Sequence, residues 1–217
     1  MNIALGFDPG GTGQFGWAVL ECPAADIPKL RDAGTAKHAE EAVSAAVDRL
    51  QADDDVVAAG IDSPMYWTPS GEREADGIVR NAMRSCGARN VGGTVQHPNS
   101  LRGACVVQGP TAAILLRQCF PDVPITECHP KALVWLLRIA TATRHSRNLT
   151  PREFASLFQG SFTCEHERDA ILAAYSAHSM ASRKVGWINL VERESAPLFI
   201  AGDVGYWLPL APRAQIT

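Results

Sequence analysis

Two short stretches with one shared pattern constrain this chain more than anything else in it. IALGFDP (Ile3 to Pro9) and VAAGIDSP (Val57 to Pro64) each run apolar residues through an Ala-x-Gly-x-Asp alternation and end at a turn-forming proline. Successive side chains of a strand point to opposite faces, so Asp8 shares a face with Ala4 and Gly6, and Asp62 shares one with Ala58 and Gly60. Two adjacent parallel strands in this register bring both carboxylates together on one sparsely covered face. Taking an ionised carboxylate out of water without a partner is costly. A metal ion, a basic side chain or a phosphate-bearing ligand offsets that cost. Asp62 ahead of Ser-Pro also fits a simple turn cap.

The rest of the chain supplies a framework for these two strands. Pro9, Gly10, Gly11 and Gly13 force a tight turn, residues 14–21 read as a second strand and residues 29–36 as a third, which makes an antiparallel meander. His38 to Gln51 places Ala42, Val43, Ala46, Val47 and Leu50 on one helical stripe, and the almost wholly apolar Asp55 to Pro64 is the pattern of a central parallel strand. From residue 65 to about 120 the chain reads as an insertion. It holds a helix from Ser70 to about Ser85 that projects Arg73, Asp76, Arg80 and Arg84, a loop over 87–100, and a helix from Ser100 to Arg117 bent near Gly109-Pro110. A long irregular segment directly after an acidic strand end suits a functional lid or an exposed loop.

VPITECHP (Val123 to Pro130) is the fifth strand and ends in Glu127; Pro130 opens the next helix. Glu165 to Lys184 is the last helix, with Ala170, Ile171, Ala174, Tyr175 and His178 on its buried side. His166 and Asp169 are three residues apart and Glu165 and Asp169 four, so either pair converges on one ligand. Glu165 and Glu167 fit compensation of the helix dipole, whereas Asp169 sits a full turn inside. The tail from Val185 carries Trp187, Leu190, Phe199, Tyr206 and Trp207, which predicts a final strand or clasp.

Composition narrows the classes. A 217-residue chain with 46% hydrophobic and 20% charged residues is read as one domain over residues 1–217, with the insertion at about 65–120. No apolar run approaches the roughly 20 residues of a membrane span, and no signal peptide is visible, so a cytoplasmic protein is expected. The six cysteines lack CxxC spacing, which argues against zinc. A net charge of −3 excludes a broadly basic coat but not a local basic groove. Between Cys128 and Arg152 there is no acid, while Lys131, Arg138, Arg144, Arg147 and Arg152 stand beside His129 and His145. That is either a solvated face or a phosphate-binding patch.

Asp8, Asp62, Glu127 and Asp169 collect at element ends, and carboxylates at that density repel one another unless divalent cations neutralise them. Oxygen ligands of this kind suit Mg²⁺ or Mn²⁺, and two such ions about 3.5 to 4 Å apart activate water and stabilise the leaving oxygen of a phosphodiester. Asp8, Asp62 and Asp169 are the expected metal ligands, and Arg73, Arg80, Arg84 and Lys131 the expected substrate-phosphate contacts.

The order β-β-β-α-β-α-β-α resembles the ribonuclease H-like fold: a mixed five-stranded sheet with helices on both faces, here with the insertion after the fourth strand. More narrowly, GFDPGGTGQFGWAV, GIDSP, NSLRGACVVQG, ITECHPKAL and HERDAILAAYSA resemble the DUF429 family, described as predicted nucleases of that fold. His166 and Asp169 also look like the last-helix HxxD motif of some RuvC-type resolvases. That resemblance implies a His that serves the attacking water or a metal, and Asp8 as the metal-bridging carboxylate. Glu127, or Glu40 or Glu41 on the first helix, offers a further ligand. The implied partner is DNA or RNA, or a nucleotide-like molecule. DPGGTG resembles as well the phosphate-binding turn of actin-like ATPases and sugar kinases, but those folds need a second copy of the domain and this chain has no internal repeat. A small-molecule nucleotide hydrolase or transferase, and a noncatalytic binding module on the same fold, are the remaining alternatives.

Overall fold

The computed structural model describes residues 1–11, 13–24, 26–70, 72–96, 103–137 and 154–209. Its frame is a mixed sheet. β1 (Asn2–Asp8) pairs antiparallel with β2 (Phe15–Glu21), which pairs antiparallel with β3 (Lys29–Ala36). The helix α1 (Ala39–Val47) then crosses to β4 (Asp55–Ile61), which lies parallel to β1. The segment after β4 contains β5 (Tyr66–Trp67), α2 (Glu74–Ser85) and α3 (Gly103–Cys119). β6 (Ile125–Glu127), α4 (Pro130–Leu137) and the long α5 (Glu165–Ala181) follow, and then β7 (Trp187–Asn189), β8 (Leu198–Phe199) and β9 (Gly205–Pro209). The sheet order is β3-β2-β1-β4-β6-β9-β7, with β5 and β8 forming a separate two-stranded ribbon. This is the ribonuclease H-like arrangement, enlarged from the expected five strands to seven. The tail supplies the extra two: β9 adds in parallel to β6 and β7 closes antiparallel on β9.

Both faces of the central strands are covered, so they carry near-continuous apolar sequence. Every residue of β1 after Asn2 is buried. Ile3, Leu5 and Phe7 fill one face, while Ala4 and Gly6 on the other make room for α5. Three glycines let that helix lie directly on the sheet. An added Cβ would stand 1.9 Å from the Ala170 carbonyl oxygen at Gly6, 2.0 Å from that of Ala173 at Gly60 and 2.1 Å from that of His166 at Gly16. No other side chain fits in such a gap. Helix termini run close to expectation, with α5 ending at Ala181 rather than Lys184 and α2 starting at Glu74 rather than Ser70. No helix among the described residues is long and apolar enough to cross a membrane. Arg138, Arg144, His145, Arg147 and Arg152 of the acid-free stretch, and the predicted cap Ser100, lie outside the described residues.

Candidate active site

The register places the first two acids. Gly6 pairs with Gly60 and Phe7 with Ile61, and the Asp62 N–H donates to the Phe7 carbonyl at 2.9 Å, so β1 and β4 end level with one another. Asp8 and Asp62 leave these ends on the face that carries Gly6 and Gly60, the face on which α5 lies. The turns behind them are tied together by α3: Ser63 Oγ donates to the Cys105 carbonyl at 2.7 Å, and Cys105 Sγ donates to the Pro9 carbonyl at 3.2 Å. Gly109 permits this, since a Cβ there would meet Ser63 Cβ and Oγ at 2.3 Å.

α5 brings the third acid. With His166 over Gly16 and Ala170 over Gly6, its first turns sit at the strand ends, and Asp169 is buried there. His166 Nδ1 lies 2.7 Å from Asp8 Oδ2, and that bond raises the His166 pKa against the opposing effect of its partial burial. Burial pushes the Asp169 carboxyl up to about 6; the Arg168 charge opposes the rise and the Asp8 charge adds to it. Asp62 is raised well above the ordinary carboxylate range by burial, then by the charges of Asp8 and Asp169, although 24% of its side chain reaches solvent. The Asp8 charge thus acts on both Asp62 and Asp169, as carboxylates gathered at one place do. Lys131 on α4 opposes the effect at Asp62 and forms an ion pair with Glu165 Oε1 at 2.9 Å.

Glu127 does not join them. Its register partner is Ile61, so it points to the sheet face opposite Asp62. There Arg73, expected to reach substrate, is buried and fully engaged. Its Nη1 and Nη2 donate to Glu127 Oε2 and Oε1, each at 2.7 Å, and its Nε and Nη2 donate to Asp76 Oδ2 and Oδ1 at 2.9 and 2.7 Å. Burial alone would raise the Glu127 pKa, but the Arg73 charge and the hydrogen bonds from His129 and Arg73 hold it at about 2. Asp76, Glu127 and His129 do bring ligand atoms within 4.8 Å of one another, but the guanidinium already occupies the two carboxylates. This is a structural ion-pair network that fixes α2 to the end of β6. Arg73 lies on the wrong side for substrate because it is the N-cap residue of α2 and packs inward over the Tyr66 ring at 4.6 Å, instead of projecting with the helix surface. Arg80 is bound to Glu72 and the Val95 carbonyl, and exposed Arg84 to Asn81 of its own helix.

Arg168 was not singled out from the sequence, and His129 was named there only beside the basic stretch after Cys128. Arg168 donates from Nε to Asp169 Oδ1 at 2.8 Å and from Nη2 to Glu165 Oε1 at 3.2 Å. His129 stands between the two faces, with Nε2 3.1 Å from Glu127 Oε1 and Nδ1 3.8 Å from Asp62 Oδ1. The available signals were the i,i+3 spacing of Glu165 and Arg168 and the Glu-x-His alternation at the end of β6.

Strand order and the helix laid across the strand ends define an α/β protein of ribonuclease H-like fold, with a carboxylate cluster at the carboxyl ends of its central strands. No protein-family model matches the chain, and neither does any curated protein. Among solved structures, the RuvC structure of Thermus thermophilus is similar over 85% of this chain and 96% of that one, at 16% identity and a TM-score of 0.42. The class is set by strand order, and the site by its own residues.

Proposed function

We propose that this protein is a divalent-metal-dependent hydrolase of phosphodiester bonds, a nuclease of DNA or RNA, with Asp8, Asp62 and Asp169 as the metal-holding carboxylates. One observation carries the reading: three acids from three separate segments lie toward one sheet face over a saddle of glycines, where burial and then the charge of Asp8 raise the pKa values of both Asp62 and Asp169. An all-oxygen donor set of this charge fits Mg²⁺ or Mn²⁺. One ion, or a pair, supplies Lewis-acid stabilisation and an activated water. The protein's own groups provide the rest. Asp8 holds the His166 ring through Nδ1 and stabilises the imidazolium formed when the ring accepts a proton. With 31% of its side chain exposed, His166 is placed to take that proton from an attacking water. Lys131, at the mouth of the site, meets substrate phosphate. The motifs that resemble the DUF429 predicted nucleases support the same class, and membership of that family belongs to this proposal.

A second reading, hydrolysis or transfer on a small nucleotide-like molecule, is favoured by α3, which is tied across the turns after Asp8 and Asp62. Single-stranded, duplex and branched DNA and RNA, and free nucleotides, are offered to wild-type and Asp8→Asn protein with Mg²⁺ or Mn²⁺. Wild type is expected to cut a polymer, and Asp8→Asn to be slower by about a hundredfold or more. Equal residual cutting by both, or none with either metal, counts against a nuclease; turnover of nucleotides alone selects the second reading.

A further inference from the structure

Arg168 is the cation bonded to Asp169. Its side chain is 16% exposed, so its charge needs a partner, and that partner is Asp169. Its reach is shared: Nη2 also donates to Glu165 Oε1, the same oxygen that Lys131 Nζ approaches at 2.9 Å. Four charges therefore balance in this arrangement, Lys131 and Arg168 against Glu165 and Asp169. We propose that Arg168 is a cationic stand-in at Asp169 that competes there with a divalent cation, and that it forms with Lys131 a phosphate-binding pair tethered by Glu165. The inference rests on the functional reading above.

The argument is one of charge and occupancy. A cation held by Asp169 would compete with the guanidinium for that carboxylate and repel it. Glu165 keeps Arg168 at the rim, where two positive charges now face one carboxylate. The excess positive charge lies beside the acids that hold the metal, where the non-bridging oxygens of a scissile phosphate must sit. The planar fork of arginine matches those oxygens in a way the ammonium of lysine does not. Glu165 is well placed as a tether because it is half exposed, and its bond to Lys131 contributes little to stability.

The test has two readouts that move in opposite directions. Calorimetric titration with Mn²⁺ alone compares wild type, Arg168→Gln, Arg168→Lys and Asp8→Asn. Removing a competing charge-assisted hydrogen bond makes Arg168→Gln bind Mn²⁺ about tenfold more tightly, while Arg168→Lys, which keeps the charge, stays near wild type. Anisotropy with a fluorescein-labelled phosphorothioate DNA oligonucleotide, in saturating Mn²⁺, then shows Arg168→Gln and Lys131→Gln each binding about tenfold more weakly, with the salt slope lower by about one. A residue that merely supports the fold would weaken both kinds of binding. Unchanged or weaker Mn²⁺ binding by Arg168→Gln, where Asp8→Asn abolishes it, overturns the stand-in role alone; unaltered oligonucleotide binding overturns the phosphate role. Wild type that binds no Mn²⁺ overturns the metal reading itself, and this inference with it.

Discussion

Two buried carboxylates of this protein titrate in opposite directions for reasons visible in their neighbours. Asp169 is buried beside the Asp8 charge, with Arg168 and Lys131 opposing, and its pKa rises from 3.8 to about 6. Glu127 receives both arms of a guanidinium and falls from 4.5 to about 2. The consequences for stability have opposite signs. Folded protein keeps a proton on Asp169 that the unfolded chain has released. That contribution is complete below pH 3.8 and is lost as the pH rises to about 6, worth up to about 3 kcal/mol. Glu127 contributes stability that is present above pH 4.5 and is lost as the pH falls toward about 2. Thermal unfolding of metal-free protein across this range checks the first effect by difference: Asp169→Asn gains on wild type between pH 4 and 6 and stays ahead above it. A constant difference across the range would mean that Asp169 is not under this strain. Mn²⁺ affinity of the wild type rises over the same window, because the ligands must be ionised to bind. From the sequence, the common face of Asp8 and Asp62 was legible because strand alternation set their phase. Glu127 was not, because its face depends on how β6 is registered against β4, and a register is a property of two strands rather than of either sequence.

Elements acquire their precision from the glycine saddle. Gly6 and Gly60 were recognisable as small residues near the acids and Gly16 was not, and none of the three was legible as the floor of a helix whose backbone touches the sheet. Only the docked α5 shows why a side chain is excluded at all three. Gly60→Ala would drive a methyl group into the Ala173 carbonyl, an overpacking cost of about 1–3 kcal/mol or more, and would lift Asp169 away from Asp8 and Asp62. Gly77→Ala in α2 is the contrasting change. An added methyl meets nothing within 4 Å there, and Ala in place of Gly stabilises a helix by about 0.5–1 kcal/mol. Denaturant unfolding is expected to separate the two in sign, and Mn²⁺ titration to show weakened binding for Gly60→Ala alone. If Gly60→Ala were neutral in both, the close approach of α5 would not be what assembles the site. Arg73 illustrates the opposite limit of sequence reading: helical spacing grouped it with Arg80 and Arg84, whereas its place at the first cap of α2 turns it into the interior.

For the molecule as a whole, the central five strands followed from patterns of apolar residues and acids, while the tail was expected as one final strand or clasp rather than as two strands of the sheet. β7 has three residues and β9 five, too short for periodicity to show. They are held by partners remote in sequence: the Tyr206 N–H donates to Asn189 Oδ1 at 2.9 Å, and the Trp207 N–H to Thr126 Oγ1 at 3.0 Å. The sheet separates two clusters of buried charge. On one face, Asp8, Asp62 and Asp169 lie at the strand ends with His166, Arg168 and Lys131 beside them; on the other, Arg73 satisfies Asp76 and Glu127 internally. His129 stands between them, 3.1 Å from Glu127 and 3.8 Å from Asp62. The account depends on which cluster takes the cation, and anomalous diffraction from crystals grown with Mn²⁺ decides it. The account predicts a peak bounded by Asp8, Asp62 and Asp169, with Arg168 moved off Asp169. A peak at Asp76, Glu127 and His129, or no ordered peak at saturating Mn²⁺, would contradict it.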